Sequence, residues 1–192
     1  MTAARKKAPT PRNAEQTRAR ILDAARRRFS NHSYENVGTR DIAADAGVDA
    51  ALVNRYFGTK ENLFTEVITG GFLLEEHLPE QMSDLGTHLA AQMLADADDG
   101  DAKGFNPLRV LLRAAGNPSI APLVSECFHR EFVAPLAKLL PGRDKGARAA
   151  VIASYVVGLA TMRHGLASPE LSGERQEKAA AIAAAAIQAC VG

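Results

Sequence analysis

Asn54, Arg55 and Tyr56 stand in a row, and their side chains suit the edges of nucleic-acid bases. The arginine fork of donors matches guanine, the asparagine amide can bond bidentately to adenine, and tyrosine can reach a phosphate or the methyl of thymine. Each good base contact is worth about 1–3 kcal/mol of discrimination. Thr39 and Lys60 flank this triple at expected helix starts, where free amides and the helix dipole favour anions. Taken singly, each has a plainer reading: Arg55 and Lys60 as solvated charges, Tyr56 as a core residue, Thr39 and Asp49 as caps without a partner. Their combination on one short helix and its neighbours favours recognition.

Such a triple needs a rigid mount, and the flanking pattern supplies one. Asn13 is placed to cap a helix reaching Ser30, with Ile21, Leu22, Ala25 and Phe29 at helical spacing. Asn31–Asn36 is turn-forming. Thr39 is expected to cap a short helix over Arg40–Ala46, stopped by Gly47, and Asp49 to cap a second over Ala50–Phe57, ended by Gly58. Thr59 then opens a longer helix carrying Leu63, Phe64, Val67 and Ile68. Two very short helices around a glycine turn form a helix-turn-helix. Val48, Val53, Ile42 and Ala43 can hold them at a steep angle, leaving one face of Ala50–Phe57 uncovered.

The run from Val37 to Phe64 resembles the DNA-binding domain of TetR/AcrR-family transcriptional regulators. It joins the Thr39-Arg40 helix start, the Ala46-Gly47-Val48 turn, the Tyr56-Phe57 ending and the Thr59-Lys60-Glu61-x-Leu63-Phe64 opening at family spacing. The resemblance is strong over residues 13 to about 68. Beyond that it rests on helicity and length, with Asn106–Ala115 similar to a segment of actinobacterial-type members. It implies that Thr39 bonds a phosphate and that Arg40 reaches a base or phosphate. Ala50, Ala51, Asn54, Arg55 and Tyr56 would face the major groove, and Lys60 would bind phosphate. Asn54 departs from the pattern, since many members carry an aromatic residue there, so the preferred operator is not transferable from them.

Charge and composition agree with that division. Residues 1–60 hold 12 Lys and Arg against 6 Asp and Glu, whereas residues 61–192 hold 11 against 16. A basic head on an acidic body suits a polyanion partner such as double-stranded DNA. The expected organisation is a basic tail over 1–12, a helix-turn-helix domain over 13–60 and a helical regulatory and dimerisation domain over 61–192. The longest uncharged run, Ala149–Met162, is shorter than the roughly 20 residues of a membrane span. No apolar stretch follows Arg5, Lys6 and Lys7, so no secretory signal and a cytoplasmic location are expected. Cys127 and Cys190 match no disulfide or metal spacing and read as small buried residues. Glu126, Cys127 and His129 could form a metal set, but a core cysteine between surface groups is the simpler reading. Without a phosphate loop, nucleophile elbow or His-Glu-x-x-His pair, no enzyme is expected, and no cofactor. A helical interaction module is the remaining class, and it would leave the turn, the caps and the basic head unexplained.

The whole chain reads as all-α, with further helices over about Leu78–Ala97, Pro107–Ala115, Ser119–Leu140, Lys145–Leu166 and Gly173–Cys190; Pro135 should kink or end the third of these. Helices about 145–166 and 173–190, apolar nearly all round over Ala149–Met162 and Ala179–Ile187, are the expected homodimer face, burial within one subunit being the alternative. TetR-like proteins imply a small-molecule pocket, for which Phe105, Leu108, Leu112, Phe128, Phe132, Met162 and His164 are candidate lining; the same residues also read as ordinary core. The function expected is a homodimeric repressor of a palindromic operator released by an unknown small-molecule effector. An activator or a ligand-independent regulator is the alternative.

Overall fold

The computed structural model describes residues 11–95 and 107–192. Among them the chain is all-helical, with no strand, and it divides into two compact units, one up to Val67 and the other from Ile68.

The first unit begins with α1 (Pro11–Asn31), which buries Ile21, Ala24, Ala25 and Phe29 along one stripe. Asn13 lies inside this helix rather than capping it, its carbonyl accepting from Thr17 Oγ1 at 2.7 Å. A single 3₁₀ turn, Tyr34–Asn36, leads to α2 (Thr39–Ala46), which buries Ile42, Ala43 and Ala46. Thr39 is the first helical residue here, not the cap. Gly38 holds that position, and its N–H donates to the Asp41 carboxylate at 3.3 Å, so the cap lies one residue earlier than the sequence implied. Gly47 (φ 62°) closes α2, with Gly47 N–H bonding Ala44 O and Val48 N–H bonding Ala43 O. That paired pattern needs the left-handed conformation glycine adopts freely.

Asp49 caps α3 (Ala50–Phe57), accepting from Ala51 N–H at 2.8 Å. Thr59 Oγ1 accepts from Asn62 N–H at 3.1 Å at the start of α4 (Lys60–Ile68). α1 packs on α2 and α2 on α3. The centre is aromatic: Phe29 meets Phe64 edge-on at 5.0 Å and stacks on Tyr34 at 5.8 Å, while Tyr34 meets Phe64 edge-on at 5.2 Å. Arg28 clasps Asp45 with two hydrogen bonds of 2.5 and 2.8 Å, and Arg18 pairs with Glu66.

In the second unit a 3₁₀ turn, Leu74–His77, is followed by non-helical backbone and a second 3₁₀ turn, Met82–Asp84, which take the place of the first third of the helix expected over 78–97. Pro79 explains this. It lacks an N–H and forces the preceding Leu78 into extended backbone (φ −90°, ψ 134°), so α5 starts only at Leu85 and ends at Leu94. Then follow α6 (Pro107–Ala115), α7 (Ala121–Phe128), α8 (Ala134–Leu139), α9 (Lys145–Ala160) and α10 (Gln176–Ala189). The expected helix over 119–140 is thus one path with a widened turn, His129–Val133, between α7 and α8. Pro135 sits just after that turn, and in a straight α-helix its ring would collide with the Glu131 carbonyl. α10 lies along α5, and α9 packs against both α5 and α8.

Candidate nucleic-acid interface and ligand cavity

α3 is amphipathic over only two turns. Val53 and Phe57, four residues apart, are buried and fix its roll, while Ala51, Asn54 and Arg55 are exposed on the far side. Ala50 is half-buried at the helix start. Tyr56 is also half-buried, its ring tilted against Phe57 at 6.4 Å, so it borders the exposed face instead of standing in its middle. A residue two positions from Asn54 is turned about 200° round a helix, which explains the separation. Arg40 is exposed one residue into α2, and Thr39 is half-buried at its start. Among the described residues neither Arg40 nor Arg55 has an ion-pair partner, whereas Arg18 and Arg28 do.

Lys60 is half-buried at the start of α4. Its ammonium lies 4.1 Å from the centroid of the Tyr34 ring, and burial lowers its pKa from the usual lysine value. Burial, followed by the Glu61 carboxylate, raises the Tyr34 phenol. Tyr34 is thus a residue the sequence did not single out; in a turn-forming stretch it gave no periodic signal.

Leu108, Phe128 and Phe132 share a cavity of about 60 Å³ in the second unit. Leu112 and His164 border a separate recess of about 50 Å³, where His164 Nε2 lies 3.0 Å from the Met93 carbonyl. Met162 is 44% exposed on α9's continuation and lines neither space. Phe105 falls outside the described residues. The rest of the 60 Å³ lining comes from positions the sequence did not mark: Gly71, Phe72, His77, Leu89, Met93, Pro107 and Val156. Most precede α6 in the chain and meet it only through tertiary packing, which periodicity cannot foresee.

Glu131, 9% exposed, secures one wall of that cavity. Its carboxylate accepts from Gly70 N–H at 3.1 Å and Phe72 N–H at 3.3 Å, and Arg130 donates to it at 3.1 Å. Burial alone would raise its pKa, but these donors hold it below the ordinary carboxylate value. Cys127 is buried and its thiol, pushed up to about 12 chiefly by burial, abuts the Ile68 carbonyl at 3.5 Å. No group of three candidate metal ligands occurs among the described residues.

The surface of α9 is apolar on its outer side, with Val151 46% and Tyr155 38% exposed at i, i+4 spacing and Gly158 following. On α10, Ile182 is 65% exposed, with Ala181, Ala185 and Ala189 also exposed. No helix among the described residues is long and apolar enough to cross a membrane.

A glycine-turned pair of short helices with an exposed Asn-Arg face, followed by a helical body, defines the helix-turn-helix class of DNA-binding transcriptional regulators. The comparisons specify it further: the family described as "Bacterial regulatory proteins, tetR family" matches residues 21–67, and "Tetracyclin repressor-like, C-terminal domain" matches 83–191. The chain belongs to the TetR family of transcriptional regulators. Over 51 residues it is 47% identical to the HTH-type transcriptional regulator BetI of Agrobacterium fabrum, covering 27% of this chain and 25% of that protein. Over 45 residues it is 53% identical to the regulatory protein RaaS of Mycobacterium tuberculosis, covering 23% of this chain and 21% of that one. The matches therefore span a quarter or less of these curated relatives. Among solved structures, a TetR-family regulator from Streptomyces coelicolor A3 is 26% identical with a TM-score of 0.58, over 98% of this chain and 99% of that one. NalD, the secondary repressor of the MexAB-OprM multidrug efflux pump in Pseudomonas aeruginosa, shares the fold at 20% identity and a TM-score of 0.62, over 93% and 98% of the two chains.

Proposed function

We propose that the protein is a homodimeric cytoplasmic repressor that binds a pseudo-palindromic operator and is released by a small-molecule effector held in the second unit. In this reading the first unit, up to Val67, forms the DNA-binding head and the second, from Ile68, the regulatory and dimerising body. The observation that carries it is the α3 face, where Asn54 and Arg55 are exposed, unpaired among the described residues and held in orientation by buried Val53 and Phe57. Arg55 and Asn54 read base edges. Ala50 and Ala51 let the backbone approach, and Tyr56 touches the groove's edge. Thr39 and Arg40 hold phosphate at the start of α2, and Lys60, stacked on Tyr34, presents a pre-oriented cation to the backbone.

One head reads too few base pairs for a unique site, so two are needed about 34–36 Å apart. The outer faces of α9 and α10 supply apolar surface for pairing. An effector that fits better when the heads depart from groove spacing lowers DNA affinity by the same coupling energy, commonly about 1–3 kcal/mol.

Selection of binding sequences from random duplexes, followed by a salt titration, tests this. The expected result is an inverted repeat with half-sites about one helical turn apart and affinity that falls steeply as salt displaces phosphate contacts. No enriched sequence, or binding indifferent to salt, overturns it.

A further inference from the structure

We propose that His77 is the specificity-determining contact of the 60 Å³ cavity, and that it selects a small, neutral aromatic molecule carrying one hydrogen-bond donor, such as a phenol. This rests on reading the cavity as the effector site. Phe128 and Phe132 stack there at 5.3 Å with their planes 6° apart, and Phe72 meets Phe128 edge-on at 5.3 Å. With the Met93 thioether, Leu89, Leu108 and Val156, they make a wall suited to a flat ring. An ion would be desolvated there without a counter-charge, because the described lining holds no carboxylate, lysine or arginine.

His77 is the one polar side chain in that lining, and its hydrogen bonding is already set on one side. Its Nδ1 lies 2.9 Å from Gln92 Oε1, and Gln92 Nε2 lies 3.0 Å from His88 Nε2. A carbonyl oxygen only accepts, so Nδ1 of His77 carries the proton; an amide nitrogen only donates, so His88 Nε2 offers its lone pair. A neutral His77 therefore keeps Nε2 as an acceptor, which in this proposal receives the ligand's O–H and has nothing to give an ether. The ring is further held beside Phe132, 6.4 Å away.

The space is smaller than the roughly 150 Å³ that takes a benzene ring. Phe128 also borders a neighbouring recess of about 260 Å³, and in this proposal the ligand is admitted by a shift of Phe128 toward that recess while Phe72 and Phe132 keep the ring wall.

The test uses the full-length protein at pH 8. Nitrogen-15 NMR of labelled histidine reads the His77 tautomer, and calorimetry compares 4-ethylphenol, 4-ethylanisole, ethylbenzene and 4-ethylbenzoate. The expected result is a proton on Nδ1, phenol affinity at least about tenfold above the ether, one hydrogen bond's worth, and no benzoate binding. In His77→Phe the phenol-to-ether ratio falls to near one while ethylbenzene still binds, and Gln92→Leu lowers the ratio by freeing the tautomer. A proton on Nε2, or equal phenol and ether binding to the wild type, overturns the proposal and leaves the cavity reading intact. Binding of none of the four probes overturns both. The wild-type tautomer and probe series decide the matter even if a variant fails to fold.

Discussion

Single residues here carry more than one duty, and Glu131 shows it most clearly. Its carboxylate ties the backbone at Gly70 and Phe72 to the widened turn that carries Phe132, so a cavity wall depends on an ionised group. Because the folded-state pKa is depressed from the ordinary 4.5, its stabilisation is fully present above that value and is lost as pH falls through the lower, folded one. Glu131→Gln should be less stable than wild type at pH 7 by about 1–3 kcal/mol, with the gap closing as pH falls from 7 through and below the ordinary carboxylate value. Urea unfolding across that range checks this; parallel curves would contradict it. Glu131 was not legible in the sequence, where a glutamate on a helix reads as solvated. Arg55 and Asn54 were, because their neighbours Val53 and Phe57 announce which side is buried. The same logic misplaced Tyr56, since three consecutive residues span too wide an arc to share one face.

At the scale of elements, caps and breakers decided most boundaries. Gly47, Asp49, Gly58 and Thr59 act as their types imply. Pro79 delays the start of the expected helix to Leu85. The close pairing of α5 with α10 was also invisible beforehand, because it depends on residues 102 positions apart. Gln188 on α10 caps α5, its Oε1 accepting from Gly86 N–H at 2.9 Å and its Nε2 donating to the Met82 carbonyl at 3.2 Å. Gly86 permits this approach, since a Cβ there would collide with the Ala184 backbone carbonyl. Gly86→Ala should therefore cost about 1–3 kcal/mol despite alanine's better helix propensity. Thermal unfolding measures it, and an unchanged or raised Tm would show that α10 is not packed this closely.

For the whole molecule, class and architecture were readable from the all-helical pattern and the charge division, while most of the cavity was not, because its walls come from α5, α6, α7, α9, the widened turn after α7 and the segment before α5. Exposed Val151, Tyr155 and Ile182 on the last two helices carry the proposed pairing. Tyr155→Glu should leave the fold intact but shift sedimentation from dimer to monomer and lower operator affinity, since a charge in an apolar interface is left without a partner. A variant that still sediments as a dimer would move the interface elsewhere.

The proposed reading of base sequence by α3 rests on Arg55. Fluorescence anisotropy of wild type and Arg55→Ala, each titrated with the selected operator and with a scrambled duplex at fixed salt, addresses it directly. The variant should lose about 1–3 kcal/mol on the operator and little on the scrambled DNA. Equal losses on both duplexes would make Arg55 a phosphate contact and contradict it.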